Sequence, residues 1–350
     1  MMKRVLFYTV LAVSFALSAA AHYMRWPNVW QFAICAVAIL FAAAFLGKAT
    51  ESVAHYAGER AGGFLNATFG NAAELIIAFF LVRDGLHDMV KASITGSVVG
   101  NLLLVLGLSA LCGGLKFREQ RFNVKLAAHN ASLMLLAVVA LFIPAAFAGN
   151  LSDKETETLS LAVAVILIVA YALWLIFSMV THRRELADAS ADDEHHDAAW
   201  SKPVSVLFLM IATVMVAFVS EWLVGTLEEL SHRFGLSELF VGAFLIAIIG
   251  NAAEHSAAVF LAMKNKIGAA VEIAVGSSLQ ISLFVAPVLV IVSWLIGNPM
   301  DIVFSAYELA AIGVAAFIAK SISRDGSTNW FEGGLLLAVY VILGIAFYLV

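Results

Sequence analysis

Gly70-Asn71-Ala72-Ala73-Glu74 recurs 180 residues later as Gly250-Asn251-Ala252-Ala253-Glu254. Without a gap, Gly96-Ser97 then returns as Gly276-Ser277. Between Ala67–Val105 and Ala247–Val285, 13 of 39 positions are identical. Shared apolar composition scatters Ala and Leu matches. It rarely yields a five-residue identity that includes Asn and Glu. The chain therefore reads as an internal duplication.

Both copies lie in apolar surroundings. Of 350 residues, 62% are hydrophobic and 13% charged, with a mean hydropathy of +0.95. Soluble domains run about 45–50% apolar and ~25% charged, so water is the wrong solvent for this chain. A soluble enzyme, a nucleic-acid binder and a secreted disulfide scaffold are excluded as classes. Cys35 and Cys112 sit in apolar runs and read as small hydrophobes. What remains is an all-α polytopic membrane protein.

Apolar runs punctuated by charge give eleven candidate spans: 4–21, 29–56, 63–82, 89–113, 124–148, 158–180, 204–226, 238–262, 268–296, 302–319 and 331–349. The first run, with Lys3 and Arg4 before it and Ser18-Ala19-Ala20-Ala21 at its end, also has the form of a signal peptide; it is read as a retained helix. With the N-terminus inside, the inner segments hold 15 of the 20 Lys and Arg. The outer ones hold Arg25, Arg83, Lys91, Lys154 and Arg233. That bias fits the positive-inside rule. The repeated motifs fall in spans three and eight. An odd separation makes the copies enter the membrane in opposite directions, which is the inverted repeat many secondary transporters use for alternating access.

An ionised Glu at the bilayer centre costs ~2.5–3.5 kcal/mol on insertion scales. Glu74 and Glu254 each lie mid-span with no Lys or Arg nearby in the same span. Two such carboxylates converging at the midplane make a cation site. Asn71 and Glu74 are i and i+3, as are Asn251 and Glu254, so each pair shares a helix face. Gly70 and Gly250 permit local breaks that would free backbone carbonyls. These are hard oxygen donors, which suit Ca²⁺ with its six to eight loosely arranged ligands; soft metals would want Cys or several His. Mg²⁺, which dehydrates reluctantly, fits less well.

Ser97, Asn101, Ser277 and Gln280 place hydrogen-bonding groups inside the neighbouring apolar spans. They read as a second layer that ligates or orients, against close helix packing as the plainer account of the serines. An empty site leaves two desolvated negative charges facing one another, and protons relieve that repulsion. Two protons cancel the charge that one Ca²⁺ cancels, so ion and protons compete for one site.

These residues resemble the cation/proton exchangers of the calcium/cation antiporter superfamily. Gly62-Gly63-Phe64-Leu65-Asn66-Ala67-Thr68-Phe69-Gly70-Asn71-Ala72-Ala73-Glu74-Leu75 is similar to that family's first signature, and Gly250-Asn251-Ala252-Ala253-Glu254-His255 to its second. Thr50-Glu51 and Ser220-Glu221 also fit its pattern. The resemblance runs from about residue 30 to the end. It implies an N-terminal helix (1–27), a first five-helix repeat (28–181), an acidic cytoplasmic linker (182–202) and a second five-helix repeat (203–350). It implies Ca²⁺ transport driven by a proton gradient, with Glu74 and Glu254 as principal Ca²⁺ and H⁺ sites and Asn71 and Asn251 beside them. Sodium/calcium exchangers usually carry Ser-x-Pro-Glu-like motifs there; the five prolines of this chain avoid both signatures.

Glu51 and Glu221 read as vestibule or proton-relay groups towards opposite faces, with a Lys48 ion pair as the plainer account of Glu51. His255 reads as a relay or gate residue, and a satisfied structural histidine accounts for it nearly as well. Glu308, about two turns inside span ten, reads as a helix-bonding group. The linker carries Glu185, Asp188, Asp192, Asp193, Glu194 and Asp197 with His195 and His196; it reads as a solvated linker, or as a device that concentrates Ca²⁺. No His-Glu-x-x-His occurs, so an intramembrane metalloprotease lacks its residues. The rivals within transport are a channel, a sodium/calcium exchanger, and a broader cation/proton antiporter taking Mn²⁺, Na⁺ or K⁺. No cofactor and no nucleic acid is implied; the partners are Ca²⁺, H⁺ and the lipid bilayer. Short loops and the signal-like start suit a bacterial inner membrane.

Overall fold

The structure, a computed structural model, describes residues 2–182, 199–322 and 324–350. The acidic stretch from Glu185 to Asp197 lies outside them. The helices run α1 (Met2–Tyr23), α2 (Asn28–Phe69), α3 (Ala72–Arg83), α4 (His87–Val99), α5 (Leu106–Phe117), α6 (Val124–Ala148), α7 (Asp153–Ile176), α8 (Lys202–Val224), α9 (Leu227–Phe234), α10 (Glu238–Phe240), α11 (Ala247–Ala262), α12 (Ile267–Gln280), α13 (Ala286–Leu295), α14 (Ala306–Ile322) and α15 (Trp330–Leu349). Wider π turns at Gly100–Val105, Val241–Ile246 and Ile281–Val285 join α4 to α5, α10 to α11 and α12 to α13.

Among the described residues, nine helical stretches are long and apolar enough to cross a membrane. The runs read as spans three and ten are not among the nine. The third is divided at Gly70-Asn71, which leaves α3 only 12 residues, and α14 has 17. Apolar side chains also point outward: Leu136, Val139 and Phe142 on α6, and Ile166, Val169 and Leu173 on α7, are exposed. In water such bands would be a large apolar patch; against lipid they cost nothing.

Inside, small residues let helices approach. α2 packs on α8 through fully buried Ala42, Ala49 and Ala212, with Ser52 and Ser205 sharing a 2.8 Å hydroxyl hydrogen bond. Gly58 turns α2 at φ 81° and ψ 169°, a backbone conformation that only glycine adopts readily. α5 meets α15 at Gly333, where an added Cβ would fall 2.4 Å from the Leu111 nitrogen.

Two ends can be told apart. One carries His182 and Ala199, the residues flanking the undescribed stretch, and is called the linker face. There Tyr56 Oη donates to the Trp200 carbonyl at 2.8 Å, and Lys48 Nζ lies 5.4 Å from the centre of the Trp200 ring. The same face adds a feature to the all-helical expectation, a two-stranded antiparallel ribbon of β1 (Glu119–Arg121) and β2 (Ser327–Asn329). Gln120 anchors it by donating to the Ala262 carbonyl at 2.9 Å and to Asn265 Oδ1 at 3.0 Å. At the opposite face Arg83 pairs with Glu221 at 2.7 Å, and Asn298 donates to the Val82 carbonyl.

Glu308 is placed differently from its expected depth. It sits in the first turn of α14, where its carboxylate accepts from the Ser305 N–H at 2.7 Å and Ser305 Oγ accepts from the Glu308 N–H. That reciprocal arrangement is a capping box. Glu308 terminates a helix rather than bonding two together.

Gly333→Ala is expected to wedge α5 from α15 and to destabilise the protein by about 1–3 kcal/mol. Thermal unfolding of the detergent-purified protein measures this; an unchanged melting temperature would contradict the close approach.

Candidate cation site

The two repeated motifs meet at the blind end of one cavity of about 940 Å³. Its wall takes in Lys48 and Glu51 from α2, Ser178 and Met179 after α7, and Gly70, Glu74, Gly250 and Glu254 at the bottom. Lys48, Glu51, Ser178 and Met179 belong to the linker face, so the cavity opens there. Lys48 is the one basic residue lining it among the described residues, and it lies at the mouth.

Each glutamate sits against the other copy's glycine. A Cβ added to Gly250 would lie 3.4 Å from Glu74 Cγ, and one added to Gly70 would lie 3.6 Å from Glu254 Oε1. The glycines thus leave room for the acids to approach the shared centre. The break expected at Gly70 is present: α2 ends at Phe69, and Asn71 has φ −96° and ψ 23°. The matching break at Gly250 is absent. Residues 250 and 251 continue α11, and Asn251 Nδ2 donates to the Ala247 carbonyl one turn back at 2.9 Å. Asn71 Nδ2 instead reaches across to Gln280 Oε1.

The neighbouring polar residues orient the first set. Ser97 Oγ accepts from Asn251 Nδ2 at 2.9 Å. Ser277 Oγ donates to Glu254 Oε2 at 2.8 Å. His255 Nε2 and Asn101 Oδ1 lie 3.1 Å apart, with both residues buried. Ser97, Asn101 and Ser277 therefore each touch a residue of the stretch Asn251–His255, and Gln280 touches Asn71 of the first copy. Glu51 lines the cavity. Glu221 does not; it is bound to Arg83 at the far face.

Three buried oxygens of the repeated motifs lack a hydrogen-bond donor: Glu74 Oε2, whose residue lines the cavity, and Asn71 Oδ1 and Asn251 Oδ1, whose residues lie behind its wall. An orphaned buried acceptor costs about 1–3 kcal/mol. No group of three or more His, Cys, Asp or Glu forms among the described residues. A cation here would thus be held by two carboxylates completed by amide, hydroxyl and backbone oxygens, a set that favours hard ions.

Below the acids the route to the far face is dry. Ile77, Leu81, Val82, Val219 and Leu223 are essentially inaccessible to solvent, and the Arg83–Glu221 pair lies beyond them. α4 also closes on residues 242–243: an added Cβ at Gly96 would fall 1.9 Å from the Ala243 carbonyl oxygen.

Sequence reasoning missed Asn130 and Glu272, which line the cavity. Neither belongs to a repeated motif. The available signal was an acid one turn inside the run 268–296.

Residues 27–180 and 204–349 match the family described as sodium/calcium exchanger protein. The Ca²⁺/H⁺ antiporter ChaA of Bacillus subtilis (strain 168) is 46% identical over 347 residues, covering 98% of this chain and 99% of that protein. The Ca²⁺/H⁺ antiporter of Aphanothece halophytica is 46% identical over 362 residues, covering 99% and 97%. Among solved structures, native YfkE superposes with a TM-score of 0.86 at 44% identity, covering 98% of this chain and all of that one.

Gly250→Val is expected to displace the Glu74 side chain and weaken divalent-cation binding about tenfold or more, the equivalent of ~1.4 kcal/mol. Gly250→Ala adds only an ordinary contact and should bind nearly as the parent does. Calorimetric titration with Ca²⁺ compares them; equal affinity in all three would contradict the reciprocal seating.

Proposed function

Because the chain belongs to the sodium/calcium exchanger protein family, we propose that it exchanges Ca²⁺ for H⁺ across a membrane by alternating access. It is an integral membrane protein, with nine membrane-length apolar helices among its described residues. The single observation that carries the exchange reading is the meeting of Glu74 and Glu254 at the blind end of a cavity open to one face. The Ca²⁺/H⁺ antiporters to which it is 46% identical favour protons over sodium as the coupling ion.

In this reading Glu74 and Glu254 are the Ca²⁺ and H⁺ sites. Asn71, Asn251 and the backbone around Gly70 add neutral oxygens. Gly250 serves by leaving space for Glu74 rather than by freeing a carbonyl. Ser97, Ser277 and Gln280 fix the donors, and the Asn101–His255 pair braces α11. An ion arriving through the cavity neutralises two carboxylates and displaces their protons. With either two protons or one Ca²⁺ bound the site is electrically balanced, and only a balanced site crosses the low-dielectric barrier cheaply.

Eleven spans, divided as 1–27, 28–181, 182–202 and 203–350, organise the chain as one helix, two inverted five-helix repeats and a linker. The positive-inside bias makes the linker face the cytoplasmic one, with the N-terminus inside, and a bacterial inner membrane suits the bacterial relative. The described conformation is then open inward and sealed outward.

Radiolabelled Ca²⁺ uptake into proteoliposomes under an imposed pH gradient tests the proposal. The parent protein should take up Ca²⁺ only with the gradient, and Glu74→Gln and Glu254→Gln should each lose it. Uptake that follows a Na⁺ gradient instead, or full activity in either variant, would overturn the reading.

A further inference from the structure

Helix ends meet around the β1–β2 ribbon on the linker face. α5 stops at Phe117, α14 stops at Ile322, and α15 starts at Trp330. The stretches His87–Phe117 and Trp330–Leu349 are both apolar and of membrane length, so residues 115–118 and 330–331 stand where the membrane meets water. Gly114 lets the two ends touch: a Cβ added there would fall 2.3 Å from the Trp330 backbone nitrogen. The Arg118 N–H donates to the Gly114 carbonyl at 2.7 Å, which sets Arg118 beside the same contact.

This surface combines exposed apolar and exposed basic side chains. Leu115, Trp330 and Phe331 are exposed, and tryptophan at the end of a span is an interfacial anchor. Lys116, Arg118, Arg121, Lys320 and Arg324 are exposed as well. Glu119 lies 3.3 Å from Arg121 and offsets it. Lys116 donates to the Met263 carbonyl at 2.9 Å. Arg118, Lys320 and Arg324 form no ion pair among the described residues. The remaining acids are Asp325, which accepts from the Ser327 N–H, and Glu332, which has one oxygen buried. Positive charge is left over.

Arg118 has φ 65° and ψ −62°, a region that disfavours any residue with a Cβ. Glycine would make this turn without strain, so the turn gives no reason for an arginine. A phosphate does, because the planar guanidinium can bond two of its oxygens at once. A soluble anion would leave Leu115, Trp330 and Phe331 uncovered, and a neutral lipid would leave the cations unmatched. A lipid with an anionic headgroup meets both.

We propose that this patch binds an anionic phospholipid, with Arg118 and Arg324 on the headgroup phosphate and Leu115, Trp330 and Phe331 along the acyl chains. Its residues are not among those that line the cation cavity, and the assignment does not depend on which ions are exchanged. Gln120 donates from the same ribbon to the Ala262 carbonyl, so the bound lipid lies one hydrogen bond from the end of α11, the helix that carries Glu254.

Native mass spectrometry of the detergent-purified protein tests this, with phosphatidylglycerol or phosphatidylcholine added. The parent should bind phosphatidylglycerol about tenfold or more tightly than phosphatidylcholine. Arg118→Gln and Arg324→Gln should each weaken phosphatidylglycerol binding about fivefold. Arg118→Lys should keep most of it, and Arg233→Gln, on α9 at the opposite face, should keep all of it. Arg118→Gly relieves the backbone, so its lipid-free melting temperature should equal or exceed the parent's while lipid binding falls as in Arg118→Gln; a merely structural arginine would not behave so. Equal affinity of the parent for the two lipids, undiminished binding in either glutamine variant of Arg118 or Arg324, or an equal loss in Arg233→Gln would overturn the proposal. Binding that appears only after the acids between Glu185 and Asp197 are neutralised would assign the patch to that segment instead and overturn it as well.

Discussion

Glu74 rests against Gly250 and Glu254 against Gly70, so each carboxylate occupies the room left by the other copy's missing Cβ. The two acids are brought together in a low-dielectric interior without a basic residue between them. Their mutual repulsion has to be cancelled by something that arrives from outside. The cavity, the amide donors and the hydroxyls around them all follow from that requirement. Ser277 fixes one oxygen of Glu254, while Asn71 Oδ1, Glu74 Oε2 and Asn251 Oδ1 are buried without a hydrogen-bond donor.

A binding site becomes a transport site only if access to it is one-sided at any moment. The same helical stripe supplies both conditions. On α4 it packs without a gap on residues 242–243; on α12 it lines an open cavity. Apolar side chains and the Arg83–Glu221 pair close the far face. Both members of that pair are about 40% exposed, so it adds at most about 1 kcal/mol. That is a latch weak enough to open when the site's charge is balanced.

Much of this was legible because the chain repeats itself. Symmetry marked Glu74, Glu254, Ser97 and Ser277 by position, and their chemistry followed from the cost of polar groups in an apolar medium. Where the copies diverge, the sequence was silent or misleading. Gly250 carries the same motif as Gly70, yet its helix runs unbroken through residues 250 and 251. Glu308 reads as an acid deep in a span, yet it caps a helix that begins at Ala306. The β1–β2 ribbon rests on two three-residue segments far apart in the chain, too short to leave a periodic signal.

Sequence alone showed a helical membrane protein and the repeated motif that carries the two acids, because hydropathy and identity at a fixed offset are local properties that survive without coordinates. Tertiary structure decided which face is open, which partners Asn71 and Asn251 take, and that Asn130 and Glu272 join the cavity. Those depend on how helices far apart in the chain pack. Near-identical motifs can be sealed in one copy and wetted in the other without a change in their own residues.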